Sequence, residues 1–138
     1  MLSDPLSAYK QTRVKTATGG QLIVMLYDEA LKQLKNAMEE LGSDNPKLDY
    51  IHNSIVKAQD IITELMASLD FEKGGEIAGN LFRLYMFFNR TLFDANLAKD
   101  AAGINDVYRL MSDLRQAWAA IENTSVTRNA STGVNLAG

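Results

Sequence analysis

Residues 69–100 have the sequence LDFEKGGEIAGNLFRLYMFFNRTLFDANLAKD, a glycine-containing start followed by a long stretch that is apolar on two sides of a helix. At about 100° per residue, one series of apolar side chains steps by threes and fours along one side, as the packed seam of a helical bundle requires. This seam consists of Ala78, Leu81, Tyr85, Phe88, Leu92 and Ala95. A second stripe lies well round the helix from the seam and consists of Phe82, Met86, Phe93 and Leu97. Because one seam cannot use both, the second stripe is predicted to contact another apolar element, and binding of a protein chain is the first hypothesis.

Capping residues and breaks predict further helices on either side of this stretch. The first begins after Thr18, because Thr18 and Gln21 form a Thr-x-x-Gln capping box, and it ends at Gly42. In the second helix, Asn45 is predicted to be the cap and Pro46 the first helical residue.

All of these helices repeat the three-and-four spacing of a buried seam, and Gly103 separates the third helix from the fourth. The first seam is Ile23, Tyr27, Ala30, Leu34, Ala37 and Leu41; the second is Leu48, Ile51, Ile55, Ala58, Ile62, Leu65 and Leu69; the fourth is Ile104, Val107, Met111, Leu114, Trp118 and Ile121. Each helix spans about 30 to 35 Å at 1.5 Å per residue. Equal lengths, short links and one seam per helix predict an all-α fold, an antiparallel four-helix bundle over residues 18–122.

Both ends of the chain differ from the bundle. The sequence of residues 1–17 predicts a short helical segment followed by β-branched residues that favour extended chain. We expect this segment to lie on the bundle as a short, partly helical N-terminal strap, anchored by Leu6, Tyr9 and Val14. From Asn123 onward the sequence is polar and aperiodic, so residues 123–138 are predicted to form a mobile C-terminal tail.

Composition argues against several classes of protein. An apolar fraction of 46% over 138 residues is enough for one domain with a packed core. The formal net charge is -3 and the basic residues are scattered, which argues against nucleic-acid binding. The sequence has no cysteine, no signal-peptide pattern and no apolar run approaching the roughly 20 residues of a membrane helix. We therefore expect a cytoplasmic protein with no membrane insertion.

The sequence offers little for catalysis. His52 is the only histidine, which excludes the two Glu-x-x-His motifs of a carboxylate di-iron bundle. Residues 74–79 are glycine-rich but lack the Gly-Lys-Ser/Thr of a phosphate loop. Adjacent carboxylates such as Asp28 and Glu29 point in different directions on a helix. No catalytic residue, metal ligand or cofactor is predicted, and metal analysis of the purified protein tests the remaining alternative of a bundle enzyme or metal protein.

Two apolar features instead indicate recognition. Residues 22–27, which include Leu22 and Met25, are six consecutive apolar residues that go all the way round a helix and cannot all face one seam. In the second stripe, full burial of each large side chain is worth about 1.5 to 3 kcal/mol, so leaving all four in water forgoes roughly 6 to 12 kcal/mol. We expect cover by neighbouring helices, by the strap or by a partner.

Five short motifs between residue 9 and about residue 121 carry a family resemblance. They are Tyr9-x4-Val14-x-Thr16-Ala17; Gln21-Leu22-Ile23-x-Met25-Leu26-Tyr27-Asp28; Lys57-Ala58-x-Asp60-Ile61-Ile62-x-Glu64-Leu65; Leu69-Asp70-x-Glu72-x-Gly74-Gly75-Glu76-Ile77-Ala78-x-Asn80-Leu81-x2-Leu84-Tyr85; and Ala95-Asn96-Leu97 with Leu114-Arg115-x-Ala117-Trp118. In this order and spacing the sequence resembles the flagellin-specific secretion chaperones, the FliS family. The clearest departure is Thr18-Gly19, where the family usually has Ser-Pro.

The resemblance implies a cytosolic bundle that binds the disordered C-terminal segment of new flagellin, prevents its premature polymerisation and delivers it to the flagellar type III export apparatus, with no reaction catalysed. It also implies that the chaperone's N-terminal segment occupies part of the client surface when no client is bound. The client-binding residues carried over from the motifs are Tyr9, Val14, Leu22, Met25, Gly75, Asn80, Tyr85 and Asn96. Leu6 joins them as a strap anchor and Gly74 as a site of close backbone approach. Phe82, Met86 and Phe93 are added from periodicity alone.

A helical adaptor without a flagellin client is the main alternative. In that case the surplus apolar stripes would form the interface of a homodimeric regulatory bundle. Docking of export-gate or regulatory proteins of the flagellar system is also left open. Mass measurement with and without a flagellin C-terminal peptide separates the two readings, because a dimer interface protects the stripe when no client is present.

Overall fold

The computed structural model describes the backbone of residues 19–137 and the side chains of residues 19–123. Within that range the chain forms four α-helices and no strand: α1 is Gly19–Leu41, α2 is Leu48–Ala67, α3 is Phe71–Ala98 and α4 is Ala101–Ala137. Helices α1 and α3 each pack against both α2 and α4. Short links join consecutive helices, so the predicted four-helix bundle is confirmed.

The core consists of the seams that the three-and-four spacing predicted. Tyr27 and Leu34 of α1, Tyr85 and Phe88 of α3 and Met111 of α4 are among its largest fully buried side chains. Leu48 and Ile121, which were assigned to seams, are instead exposed. Both lie at an end of the bundle, because Leu48 is the first residue of α2 and Ile121 precedes Glu122, whose side chain lies beside Gly20 at the start of α1.

The start of α2 differs from the prediction. Asn45 does not cap this helix and Pro46 is not its first residue, since α2 begins at Leu48 and Lys47 holds the cap position in an extended conformation without a side-chain bond. The physical reason lies in the preceding link. The backbone N–H of Lys47 donates to Glu40 Oε2 over 3.0 Å, which ties this residue to the end of α1.

The structure bears differently on the predictions for the two ends of the chain. Helix α4 continues to Ala137, fifteen residues past the predicted end of the bundle at residue 122. Residues 123–137 contain no proline and one glycine, so nothing in them breaks a helix that is already nucleated. Mobility of this tail stays a prediction. The strap over residues 1–17 and the Thr18 half of the capping box lie outside the described residues and also stay predictions. Within the described range no helix is both long and apolar enough to cross a membrane.

Candidate protein-binding surface

The second stripe of α3 is exposed along its whole length. We call Phe82, Met86, Phe93 and Leu97 the α3 stripe; their exposed fractions are 37%, 52%, 57% and 73%. At 100° per residue the stripe lies roughly a third of a turn from the seam of the same helix, so it points away from the core. Neither α2 nor α4 covers it, and the described part of the molecule therefore presents an apolar line about four helical turns long, with a gap of two turns between Met86 and Phe93.

The first turn of α3 bends away from the rest of the helix at Gly75. Asp70 caps this turn, and its side chain accepts hydrogen bonds from the backbone N–H groups of Glu72 and Lys73. Gly75 then adopts φ 51° and ψ -123°, which only glycine reaches without strain. The predicted helix therefore contains a kink between its first turn and the long segment that carries the α3 stripe.

This kink brings Phe71 onto the α3 stripe. The rings of Phe71 and Phe82 meet edge to face, with centroids 5.9 Å apart and planes at 66°. In a straight helix, residues eleven positions apart would be separated by about 16 Å along the axis. Sequence periodicity missed Phe71 because it assumes a straight helix; the adjacent Gly74 and Gly75 were the available signal. Phe71 is itself half exposed and extends the apolar line.

The two glycines after Phe71 have different surroundings. A Cβ on Gly74 would lie 2.9 Å from the Cβ of Ala78. The absence of a side chain at Gly74 therefore lets this residue pack against Ala78 within α3. A Cβ on Gly75 would meet nothing within 4 Å. Of the two positions predicted to allow close backbone approach, only Gly75 therefore faces open space.

A line of polar side chains joins α3 to α2. Asn89 Nδ2 donates to Thr63 Oγ1 over 3.2 Å, and Gln59 Nε2 donates to the backbone oxygen of Asn89 over 3.1 Å. Asn96 Nδ2 lies 2.9 Å from His52 Nδ1. Asn89 and Asn96 are seven residues apart and share one side of α3. Sequence reasoning missed Asn89, although its spacing from Asn96 was the available signal.

Both ends of the Asn96 amide already have a partner within the protein. Lys99 Nζ lies 2.5 Å from Asn96 Oδ1, and because an ammonium group only donates, that atom is the oxygen. The opposite atom is therefore the amide nitrogen, which donates to His52 Nδ1. Asn96 thus fastens the end of α3 to the start of α2, and only the second N–H and the second lone pair of its amide remain for the client contact that the family motif implies.

The remaining predicted site residues lie apart from the α3 stripe. Asn80 is exposed about 160° round the helix from Phe82 and accepts a hydrogen bond from Arg83 Nη2. Tyr85 is 1% exposed and belongs to the core, so the prediction that it lies on the client surface disagrees with its position. Leu22 and Met25 are half-buried on α1, outside the set of side chains that pack on the core. Leu6, Tyr9 and Val14 lie outside the described residues.

Comparison with known proteins identifies the family. Residues 2–125 match the family described as flagellar protein FliS. The chain belongs to the FliS family. It is 31% identical to flagellar secretion chaperone FliS of Bacillus subtilis, across 96% of this chain and 98% of that protein. It is 40% identical to the chaperone of the same name from Salmonella typhimurium, across 84% of this chain and 88% of that protein. Flagellar secretion chaperone FliSB of Pseudomonas aeruginosa is 34% identical, across 82% of this chain and 88% of that protein.

The FliS assignment confirms the resemblance found in the sequence motifs. These relatives are named as chaperones, so FliS is a family of flagellar chaperones rather than enzymes. The match covers α1, α2, α3 and α4 as far as residue 125, which includes the α3 stripe and its kinked first turn.

Proposed function

We propose that this FliS-family chain is a cytoplasmic export chaperone that binds the disordered C-terminal segment of flagellin. It keeps that segment from polymerising early and passes it to the flagellar type III export apparatus. The observation that carries the proposal is the exposed α3 stripe in a chain whose relatives are named flagellar secretion chaperones. Client binding would remove this stripe from water and order the client at the same time.

The energetics of the α3 stripe set how much of the bundle the client must touch. Full burial of a large apolar side chain contributes about 1.5 to 3 kcal/mol, and since these four are about half-buried already, a client recovers roughly 3 to 6 kcal/mol. Ordering a disordered segment costs about 2 to 5 kcal/mol or more. The stripe alone therefore holds a client weakly, and tight binding requires further apolar contacts.

Further apolar area is present on the same bundle. Ile77 and Phe87 of α3 are exposed away from the α3 stripe. On α1, Leu22 and Met25 are half-buried without packing on the core. A client that wraps round the bundle would reach several of these side chains, whereas one short helix would reach only a single line. We infer that the client contacts more than one side of the protein.

The test is a titration of the full chain with a peptide covering the C-terminal segment of the flagellin from the same cell. A peptide of equal length from the middle of that flagellin is the control. We expect saturable binding of the C-terminal peptide alone, in a one-to-one complex by mass measurement. Equal binding of both peptides, or of neither, would contradict the proposal.

A homodimeric adaptor is the second candidate, and the same exposed stripe favours it. Two copies could bury the α3 stripe against each other in a two-fold interface. In that case the protein alone has the mass of a dimer, and Phe93→Ala makes it a monomer. A monomeric mass without peptide contradicts the adaptor and leaves the chaperone proposal standing.

A further inference from the structure

The four arginines whose side chains are described fall into two groups. Arg109 and Arg115 form ion pairs: Arg109 Nη2 lies 3.6 Å from Asp106 Oδ1, and Arg115 Nε donates to Asp28 Oδ1 over 2.7 Å. Arg83 and Arg90 are exposed and pair with no carboxylate in the described part of the chain. The nearest polar contact of Arg83 is its bond to the neutral amide oxygen of Asn80.

Arg83 and Arg90 mark one edge of the α3 stripe. They are seven residues apart, so they lie on the same side of the helix about 10.5 Å apart along its axis. At 100° per residue they are placed roughly 80° to 100° round from Phe82, on the side away from the polar line shared with α2. Asp94 follows Arg90 by one turn on that edge but lies beyond ion-pair distance. Exposed Glu76 lies two turns before Arg83 near the same edge, so the two arginines stand between two carboxylates with which they form no ion pair.

The α3 stripe suits a helical occupant better than an extended one. Its side chains offer no hydrogen-bonding groups over about four turns, and an extended strand laid on it would leave backbone N–H and C=O groups unpaired. A helix satisfies its own backbone bonds. Its side chains also repeat with the same four- and seven-residue spacing as Phe82, Met86 and Phe93. Flanking charges seven residues apart on one helix meet flanking charges seven residues apart on the other.

We propose that the α3 stripe binds an amphipathic helical segment of the client that carries carboxylates seven residues apart along one flank, opposite Arg83 and Arg90. This inference rests on the proposed function and adds the chemistry of the bound segment. The apolar contacts supply affinity, while the two arginines select the register and direction of the helix. A client helix with neutral or basic flanks binds in several registers and more weakly.

The experiment compares Arg83→Gln/Arg90→Gln with the wild-type chain and with Arg109→Gln, a matched control whose arginine lies on α4. Each is titrated with the flagellin C-terminal peptide and with a version whose Asp and Glu are replaced by Asn and Gln. Exposed charge pairs are worth a few tenths to 1 kcal/mol, so the double variant should bind the native peptide about three- to tenfold more weakly at low salt. It should bind the neutral peptide as the wild type does. The control should match the wild type throughout.

The outcomes separate this proposal from the one it rests on. If the wild type binds both peptides with equal affinity, or if Arg109→Gln weakens binding as much as the double variant, the arginine proposal is overturned and the chaperone proposal stands. If the wild type binds neither peptide, both are overturned. Support requires that the difference in affinity for the native peptide between the wild type and the double variant shrinks at roughly 0.5 M salt, where the Debye length is a few Å. It also requires rescue when Arg83→Glu/Arg90→Glu meets a peptide with lysines in place of its carboxylates.

Discussion

The hydroxyl oxygens of Tyr27 and Tyr85 lie 2.5 Å apart in the core and join α1 directly to α3. These helices otherwise pack mainly against α2 and α4, so the bond crosses the diagonal of the bundle. Burial raises the pKa of both tyrosines, and for Tyr27 the charge and the hydrogen bond of Tyr85 raise it further; a hydrogen bond from Trp118 acts in the opposite direction on both. The bond fixes the position of the helix that carries the α3 stripe.

Removing one of these hydroxyls should destabilise the fold without weakening the client surface. Tyr27→Phe or Tyr85→Phe removes the hydrogen bond between the two hydroxyls and leaves the other with Trp118 alone as a partner, and a lost hydrogen bond costs about 0.5 to 1.5 kcal/mol. The variant with both changes should cost less than the sum of the two, because it leaves neither hydroxyl behind. Urea melts measure the free energies of unfolding. Peptide affinity below the transition should stay at the wild-type value, and a selective loss of affinity in Tyr85→Phe would return this residue to the client surface.

Alkaline pH should destabilise the bundle through the same pair. Because the pKa of each tyrosine is raised on folding, the folded protein holds these protons more tightly than the unfolded chain. The resulting stability is fully present below the unfolded pKa of about 10 and is lost as pH rises through the folded values. Melts at about pH 8 and about pH 11 should therefore show a fall in unfolding free energy. The fall should be much smaller in the variant with both phenylalanines, and an equal fall in both proteins would assign it to other groups.

Tyr85 also shows what the sequence could predict. The three-and-four spacing placed it in the seam of α3, whereas the family motif placed it among client-binding residues, and its burial agrees with the spacing. Helical period reports burial because a seam must repeat with the turn of the helix. A family motif does not distinguish a residue that packs in the core from one that contacts a client. The exposed α3 stripe was predictable for the same reason that the seam was.

Features that depend on contacts between distant residues were not predictable. The rings of Phe71 and Phe82 meet because the positive φ of Gly75 bends the helix between them. The spacing of apolar residues carries no information about that backbone angle. Asn89 gains its role from Thr63 and Gln59 on α2, which depends on the register of two packed helices. The start of α2 shifted because a carboxylate of α1 accepts from Lys47. Each case depends on a contact or a backbone angle that the spacing of apolar residues does not encode.

The kink at Gly75 should make this glycine sensitive to substitution while a nearby glycine tolerates it. Gly75→Ala forces a side chain into φ 51°, ψ -123°, a conformation that costs about 1 to 3 kcal/mol outside glycine. Gly79→Ala is the matched control on the same helix, since its Cβ would meet only Arg83 Nη1 at 3.8 Å. That change should be neutral or stabilise the helix by about 0.5 to 1 kcal/mol. Denaturant melts of the two variants measure both effects, and equal stability would show that the kink carries no strain.

Truncating the α3 stripe should weaken client binding more than it weakens the fold. Phe93→Ala removes a ring that is mostly exposed, so the unfolding free energy should change by well under the roughly 3 to 5 kcal/mol of a buried phenylalanine. Leu92→Ala, one residue away and fully buried, should cost about 2 to 5 kcal/mol and affect binding only through partial unfolding. Phe82→Ala should resemble Phe93→Ala, with a somewhat larger loss of stability because Phe82 also packs on Phe71. Melts and peptide titrations on the three variants decide the assignment. If Phe93→Ala binds the flagellin peptide as the wild type does, the client surface lies elsewhere, and Leu22 and Met25 on α1 become the next positions to truncate.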